Sequence, residues 1–174
     1  MFILKIVKKI IKILGSAASP NQIAWGFSLG MILGLTPFWS PHNLIVIVLI
    51  ILLNVNIGSA VFGWAIFSGF AYLLDGIFHS LGYLLLVGVD SLQGVWTFFY
   101  NSPFLALFRL NNTVVLGSLI IALLALVPVV IFMKWFVVFY RNNLQARVQK
   151  FKIVKLLKGS KIYTAYEKIK LLGA

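Results

Sequence analysis

The chain has 174 residues, 61% hydrophobic and only 10% charged, with a net charge of +12 and a mean hydropathy of +1.04. Soluble domains carry roughly 25% charged residues, so an ordinary water-soluble globule is excluded and the bilayer must solvate much of the chain. Cysteine is absent, which excludes disulfides and thiolate metal sites.

The charge is segregated. Of the 15 Lys and Arg residues, Lys5, Lys8, Lys9 and Lys12 open the chain, and all but one of the rest lie from Lys134 to Lys170. Between those tails stand only Arg109, Asp75 and Asp90. Positive charge at both ends predicts a multi-pass membrane protein with both termini in the cytoplasm. The same charge suits anionic phospholipid, and no nucleic acid is expected as a partner. The fold class expected is an all-α integral membrane protein, divided into a basic interfacial helix (1–15), a membrane domain (19–139) and a basic cytoplasmic tail (140–174).

From the N-terminus, lysines 5, 8, 9 and 12 fall within about 100° of arc on a helix, and Phe2, Ile3, Leu4, Ile6, Val7, Ile10, Ile11, Ile13 and Leu14 cover the rest. This predicts an amphipathic helix in the headgroup plane, its lysines binding anionic lipid. The recurring lysines deny it the unbroken apolar stretch of a cleavable signal peptide. Gly15-Ser16-Ala17-Ala18 ends it, and Ser19-Pro20-Asn21-Gln22 starts the next helix as N-cap, first-turn proline and capping box. Gly26, Gly30 and Gly34 stand four apart on one face of that helix, a seam on which another helix can approach closely.

Thr36-Pro37-Phe38-Trp39-Ser40-Pro41-His42 cannot continue the helix. An apolar limb, Leu44 to Leu53, follows and ends at Asn54-Val55-Asn56. The two limbs reach roughly 24 Å and 15–18 Å, short of a hydrocarbon core about 30 Å thick. They read as a short helical hairpin, 20–53, dipping in from the cytoplasm with Pro37, Phe38, Trp39 and Pro41 at its buried turn. Spanning and dipping return the chain to the same side, so the charge bias does not choose between them.

A membrane helix is predicted near 57–74, carrying Ser59-x-x-x-Gly63 and Ala65-x-x-x-Gly69 as partners for the glycine seam and ending at Asp75. The apolar stretch 76–110 reads as two interfacial helices on the outer face, with Trp96, Phe98, Phe99 and Tyr100 at headgroup level. Its glycines recur every six residues, on no single helical face. Asn111-Asn112-Thr113 starts a second membrane helix near 114–133, which Pro128 kinks. Basic helices continue beyond it into the cytoplasm.

The stretch Ser19-Pro20-x-x-Ile23-Ala24-x-Gly26-x-x-x-Gly30-x-x-x-Gly34-x-x-Pro37, with Asn54 and Asn56 after an apolar limb, resembles a bacterial inner-membrane family, number 2062 among the domains of unknown function. That likeness covers residues 19–87. Arg109-Leu110-Asn111-Asn112-Thr113-Val114, Tyr140-Arg141 and Lys158-Gly159-Ser160-Lys161 resemble a narrower subfamily. The chain departs from the family pattern at Ser68-Gly69, where Asn-Pro is expected, which puts a proline kink there in question. The resemblance implies a bacterium with two membranes. The subfamily is often encoded beside a large periplasmic protein, which implies an inner-membrane platform for that partner.

Chemistry is sparse. Asp75 and His79 are four apart and share a helical face, which reads as an ion pair at the outer helix end. His42, after Pro41, reads as a polar cap on the second limb. No second carboxylate, metal-ligand set or phosphate loop accompanies them, so neither an enzyme nor a cofactor is expected. Asn54 and Asn56 at one mouth, with Arg109, Asn111 and Asn112 at the other, are candidate phosphate-headgroup contacts. Asp75, His79, Asp90 and Trp96 are candidates for docking a periplasmic partner. The function expected is a non-enzymatic platform that docks this partner and helps hand it phospholipid. One alternative is a small transporter or channel with its path at the Pro37–Pro41 turn. A further one is a structural module that oligomerises through Gly26, Gly30 and Gly34.

Overall fold

A computed structural model describes residues 2–146, and every regular element among them is helical. The order is α1 (Phe2–Leu14), α2 (Pro20–Leu35), α3 (Pro41–Leu52), α4 (Ile57–Tyr83), α5 (Gln93–Asn101) and α6 (Thr113–Phe139). Single π turns extend α4 over Leu84–Gly88 and α6 over Tyr140–Leu144. The extended stretches, Ile57–Gly88 and Thr113–Leu144, are each 32 residues and are long and apolar enough to cross a membrane.

Local chemistry sets the helix starts. Ser19 Oγ accepts from Gln22 N, and Gln22 Oε1 accepts in return from Ser19 N, closing the capping box of α2. Asn56 Oδ1 accepts from Ser59 N to cap α4, and Asn112 Oδ1 accepts from Val114 N and Val115 N to cap α6. Each side-chain cap satisfies an N–H that has no partner within its own helix.

Glycine decides the packing. A Cβ on Gly26 would lie 2.6 Å from Asn56 O, one on Gly30 would collide with Ala60 O, and one on Gly34 would lie 2.8 Å from Trp64 O. The contacts climb both helices together, so α2 and α4 run parallel, and α3 is the return limb that makes this possible. Gly63 answers the seam from α4, where a Cβ would strike Phe27 O, but the expected partner Ala65-x-x-x-Gly69 does not, since a Cβ on Gly69 meets nothing within 4 Å. A second seam joins α4 to α6: Gly82 lies against Thr113 O and Gly117 against Phe78 O. Here one number falls as the other rises, so these helices are antiparallel. Leu29, Met31, Ile32, Val46, Phe78 and Ala122 belong to the main core. A second cluster, Ile13, Leu14, Ile23, Val137 and Tyr140, closes the end where α1 meets α6.

Several boundaries differ from the sequence reading. The helix expected over 57–74 continues to Tyr83, because Asp75 is exposed on its surface while Phe78 and Gly82 beyond it pack on α6. The first part of the outer segment, 76–83, therefore belongs to α4, and α5 is the single longer helix after it. The helix expected over 114–133 runs to Phe139. α1 does not lie wholly apart from the bundle, since Ile13 and Leu14 are buried in it. The tail beyond residue 146 and the side chains of Lys5 and Lys8 lie outside the described residues.

Candidate functional site at the α2–α3 turn

The turn between α2 and α3 is built around one amide. α2 stops at Leu35, and Thr36 N–H still donates to Ile32 O as its cap. Asn43, fully buried in the first turn of α3, donates through Nδ2 to Pro37 O at 3.0 Å and Phe38 O at 3.2 Å. Its Oδ1 lies 2.8 Å from Thr36 Oγ1, whose single proton is shared with Ile32 O, also at 2.8 Å. Carbonyls that no helix can satisfy are thus satisfied by a side chain, as irregular backbone inside an apolar region requires. Pro41 opens α3 at a position where its missing N–H costs nothing.

Phe38 lies over Trp64 of α4, centroids 5.4 Å apart and rings tilted by 28°, and meets Trp39 edge-on at 5.4 Å. Trp39 itself is 89% exposed at the tip. Beside this turn a groove of about 310 Å³ runs between α2 and α4, walled by Gly34, Thr36, Phe38, Trp64, Tyr72 and Asp75. Phe78 and Val114 close its far end. Asp75 is the groove's one ionisable acid, and it is exposed.

His42 is buried in the first turn of α3, yet neither ring nitrogen has a hydrogen-bond partner. It is not the expected cap: Ser40 holds the N-cap position, and no side chain caps there.

The remaining candidates separate. Gly26, Gly30 and Gly34 form a packing face, but α4 of the same chain fills it, so no second copy can use it. Asn54 has a left-handed backbone (φ 47°) in the α3–α4 turn, and its carbonyl accepts from Gln22 Nε2 at 3.1 Å. Asn56 and Asn112 serve as helix caps, so their side-chain oxygens are engaged by backbone. Arg109 also takes a left-handed conformation (φ 53°), with Asn112 N–H donating to its carbonyl at 3.0 Å. The expected Asp75–His79 ion pair does not form: His79 Nδ1 lies 2.8 Å from Thr113 Oγ1 and fastens α4 to the start of α6. Trp96 is turned inward, its indole N–H donating to Leu85 O at 2.8 Å and pinning α5 to the π turn. Asn111 lines a small cleft with Trp96, Phe99 and Leu110. Asp90 is exposed at the start of a one-turn 3-10 segment. Lys9 and Lys12 are exposed on α1. No group of three His, Asp or Glu residues gathers among the described residues.

Three groups escaped sequence reasoning. Arg141 donates to Leu14 O, Ser16 O and Ala18 O at 3.0, 3.0 and 2.7 Å, tying the end of α1 to the end of α6. Asn43 and the Gly82–Gly117 seam also went unread. A lone amide at the start of an apolar limb was the available signal for Asn43. Arg141 and the second seam depend on partners more than 30 residues away in sequence.

The profile of a family described as an uncharacterized protein conserved in bacteria (DUF2062) matches residues 5–145, most of the chain. The chain belongs to this family. The DUF2062 match takes in the glycine seams, the α2–α3 turn and Arg141 together. Comparison with curated proteins and with solved structures returns no match.

Proposed function

We propose that this DUF2062 protein is a non-enzymatic platform of the bacterial inner membrane that holds phospholipid at the α2–α3 turn and passes it to a periplasmic partner docked on residues 84–112. The observation that carries the reading is a groove open at the side of a helical core that is itself shut. Both glycine seams bring backbones into contact, which leaves no gap along the seam between α2 and α4 or along that between α4 and α6. A lipid needs only the side of the bundle, whereas a transporter path at the Pro37–Pro41 turn would need a gap between these helices.

Membrane insertion is supported by how little of the two long helices is covered. In their most apolar windows only 17% and 28% of residues are buried. A core helix of a soluble domain would be mostly covered, and bare apolar faces of this size call for lipid as solvent. α3 adds a third such face, with Leu44, Ile51 and Leu52 exposed. The end that carries α1 and Arg141 is the basic one, so the positive-inside rule assigns it to the cytoplasm together with both termini. The hairpin then enters from the cytoplasm, and α1 rests its exposed lysines on anionic headgroups.

Residues 84–112 lie at the opposite end, with Phe98, Tyr100, Phe104 and Leu107 exposed. That surface suits a large periplasmic partner. A photo-crosslinker at Phe104 should capture one periplasmic protein, while the same group at Leu124, on the flank of α6, should capture lipid. Equal capture of the same proteins from both positions, or only lipid from both, would remove the docking half of the reading.

A further inference from the structure

Exposed polar side chains mark two levels on the bundle, and these levels lie closer together than the faces of an ordinary bilayer. From Ile57 to Phe70, α4 holds no ionisable side chain. Tyr72, Asp75, His79 and Tyr83 then follow three and four residues apart, all exposed and on one helical face. An exposed carboxylate is expensive in hydrocarbon, so the apolar layer ends near Tyr72, about 22 Å from Ile57. α6 gives the same length. Gly117 is level with Phe78 and Thr113 with Gly82, which sets Leu123 level with Tyr72 and Val138 level with Ile57. Between these limits Leu123, Leu124, Val127, Ile131 and Val138 are exposed. Val115, Leu116, Gly117 and Ser118, beyond the outer limit, are buried in protein. Lys134, exposed about one turn inside the inner limit, reaches the headgroups along its aliphatic stem.

The hairpin fits between the same levels. Gly34, near the end of α2, packs against Trp64 O and Ser68 N, so the turn beyond it comes within about one helical turn of Tyr72. α3 returns from that turn to Asn54, whose carbonyl meets Gln22 at the start of α2. α3 also touches the 3-10 turn Ala106–Phe108 in the outer segment. Trp39 stands at the tip, 89% exposed. An exposed indole N–H suits the boundary between acyl chains and water and not the middle of a hydrocarbon layer. α3 has only 12 residues, a rise of about 18 Å. A layer of about 18–22 Å is thinner than the usual core of about 30 Å, and longer lipid chains beside it must compress or tilt.

We propose that the α2–α3 hairpin crosses the apolar layer, sets Trp39 among the outer headgroups and holds around α3 a collar of thinned bilayer that short acyl chains fill best. This rests on the membrane orientation above and not on lipid transfer. The chain has no cysteine, so single cysteines can be labelled in intact cells with an impermeant maleimide. Trp39→Cys should react from the same side as Phe104→Cys, and Ile131→Cys should stay protected until detergent is added. The unaltered chain is then placed in vesicles of dimyristoleoyl, dioleoyl or dierucoyl phosphatidylcholine. Its unfolding midpoint should be highest in the first, which has the shortest chains, and fall at each step to the last. Protection of Trp39→Cys while Phe104→Cys reacts overturns the crossing and leaves the docking platform standing. A reactive Trp39→Cys with a midpoint that does not fall as the chains lengthen means a wet pocket in a bilayer of ordinary depth, and overturns the collar. Failure of Phe104→Cys to react from outside removes the outer docking face as well.

Discussion

Asn43 holds the α2–α3 turn more firmly than the prolines that announce it. Its amide serves Pro37 O, Phe38 O and Thr36 Oγ1 from a site that is 1% exposed. Asn43→Leu keeps the volume but strands two carbonyls, so thermal unfolding in detergent should show a loss of about 2–3 kcal/mol. His42 presents the opposite case. A buried imidazole with no partner costs about 1–3 kcal/mol relative to a satisfied one, so His42→Leu should raise the unfolding midpoint. If that variant also loses lipid transfer, the cost is held for function; a lowered midpoint would show that His42 has partners in the membrane. Arg141 is half-buried and meets three carbonyls. Hydrogen bonds from a charged donor are worth about 1.5–3 kcal/mol each, less where water competes. Arg141→Gln should therefore release α1, read as faster tryptic cleavage at Lys9 and Lys12. Unchanged cleavage would mean that the Ile13 and Leu14 contacts alone hold α1 down. The caps at Ser19 and Asn112 were legible in the sequence, since each acts on residues within three positions. Asn43 reaches back six residues across a turn whose shape the sequence does not specify.

At the scale of elements, two helix pairs depend on glycines whose value differs from site to site. Gly30→Ala would drive a methyl into Ala60 O, whereas a Cβ at Gly69 meets nothing within 4 Å. Gly30→Ala should cost several kcal/mol, since neither backbone can give way. Gly69→Ala should gain about 0.5–1 kcal/mol from helix propensity. Equal effects at both sites in a thermal scan would argue against the parallel α2–α4 contact. The contrast also resolves the six-residue glycine spacing. Of that series only Gly82 faces a neighbour's backbone; Gly76 and Gly94 look into open space. Spacing alone does not distinguish a packing glycine from a tolerated one, because the partner helix makes the difference. The overextension of α4 past residue 74 has the same origin. Hydropathy measures what lipid can cover, while Phe78 and Gly82 are covered by α6.

For the whole molecule, the strongest constraint is that Leu14, Ser16 and Ala18 share an end with Arg141. The absence of cysteine makes this testable by single-cysteine labelling in intact cells. Ala17→Cys and Asn142→Cys should react from one side of the membrane and Phe104→Cys from the other. If Ala17→Cys and Phe104→Cys were labelled by the same impermeant reagent, the proposed docking face would lose its compartment.

Composition and local grammar determine two helices apolar enough to cross a membrane, the helix starts and the break at Pro37–Pro41, because hydropathy, capping and proline act over a few residues and need no partner. The parallel run of α2 and α4, the second glycine seam, the Arg141 clamp and the stacking of Phe38 on Trp64 are set only when distant segments meet. Close approach of two backbones is a property of a pair, and a linear chain names one member at a time.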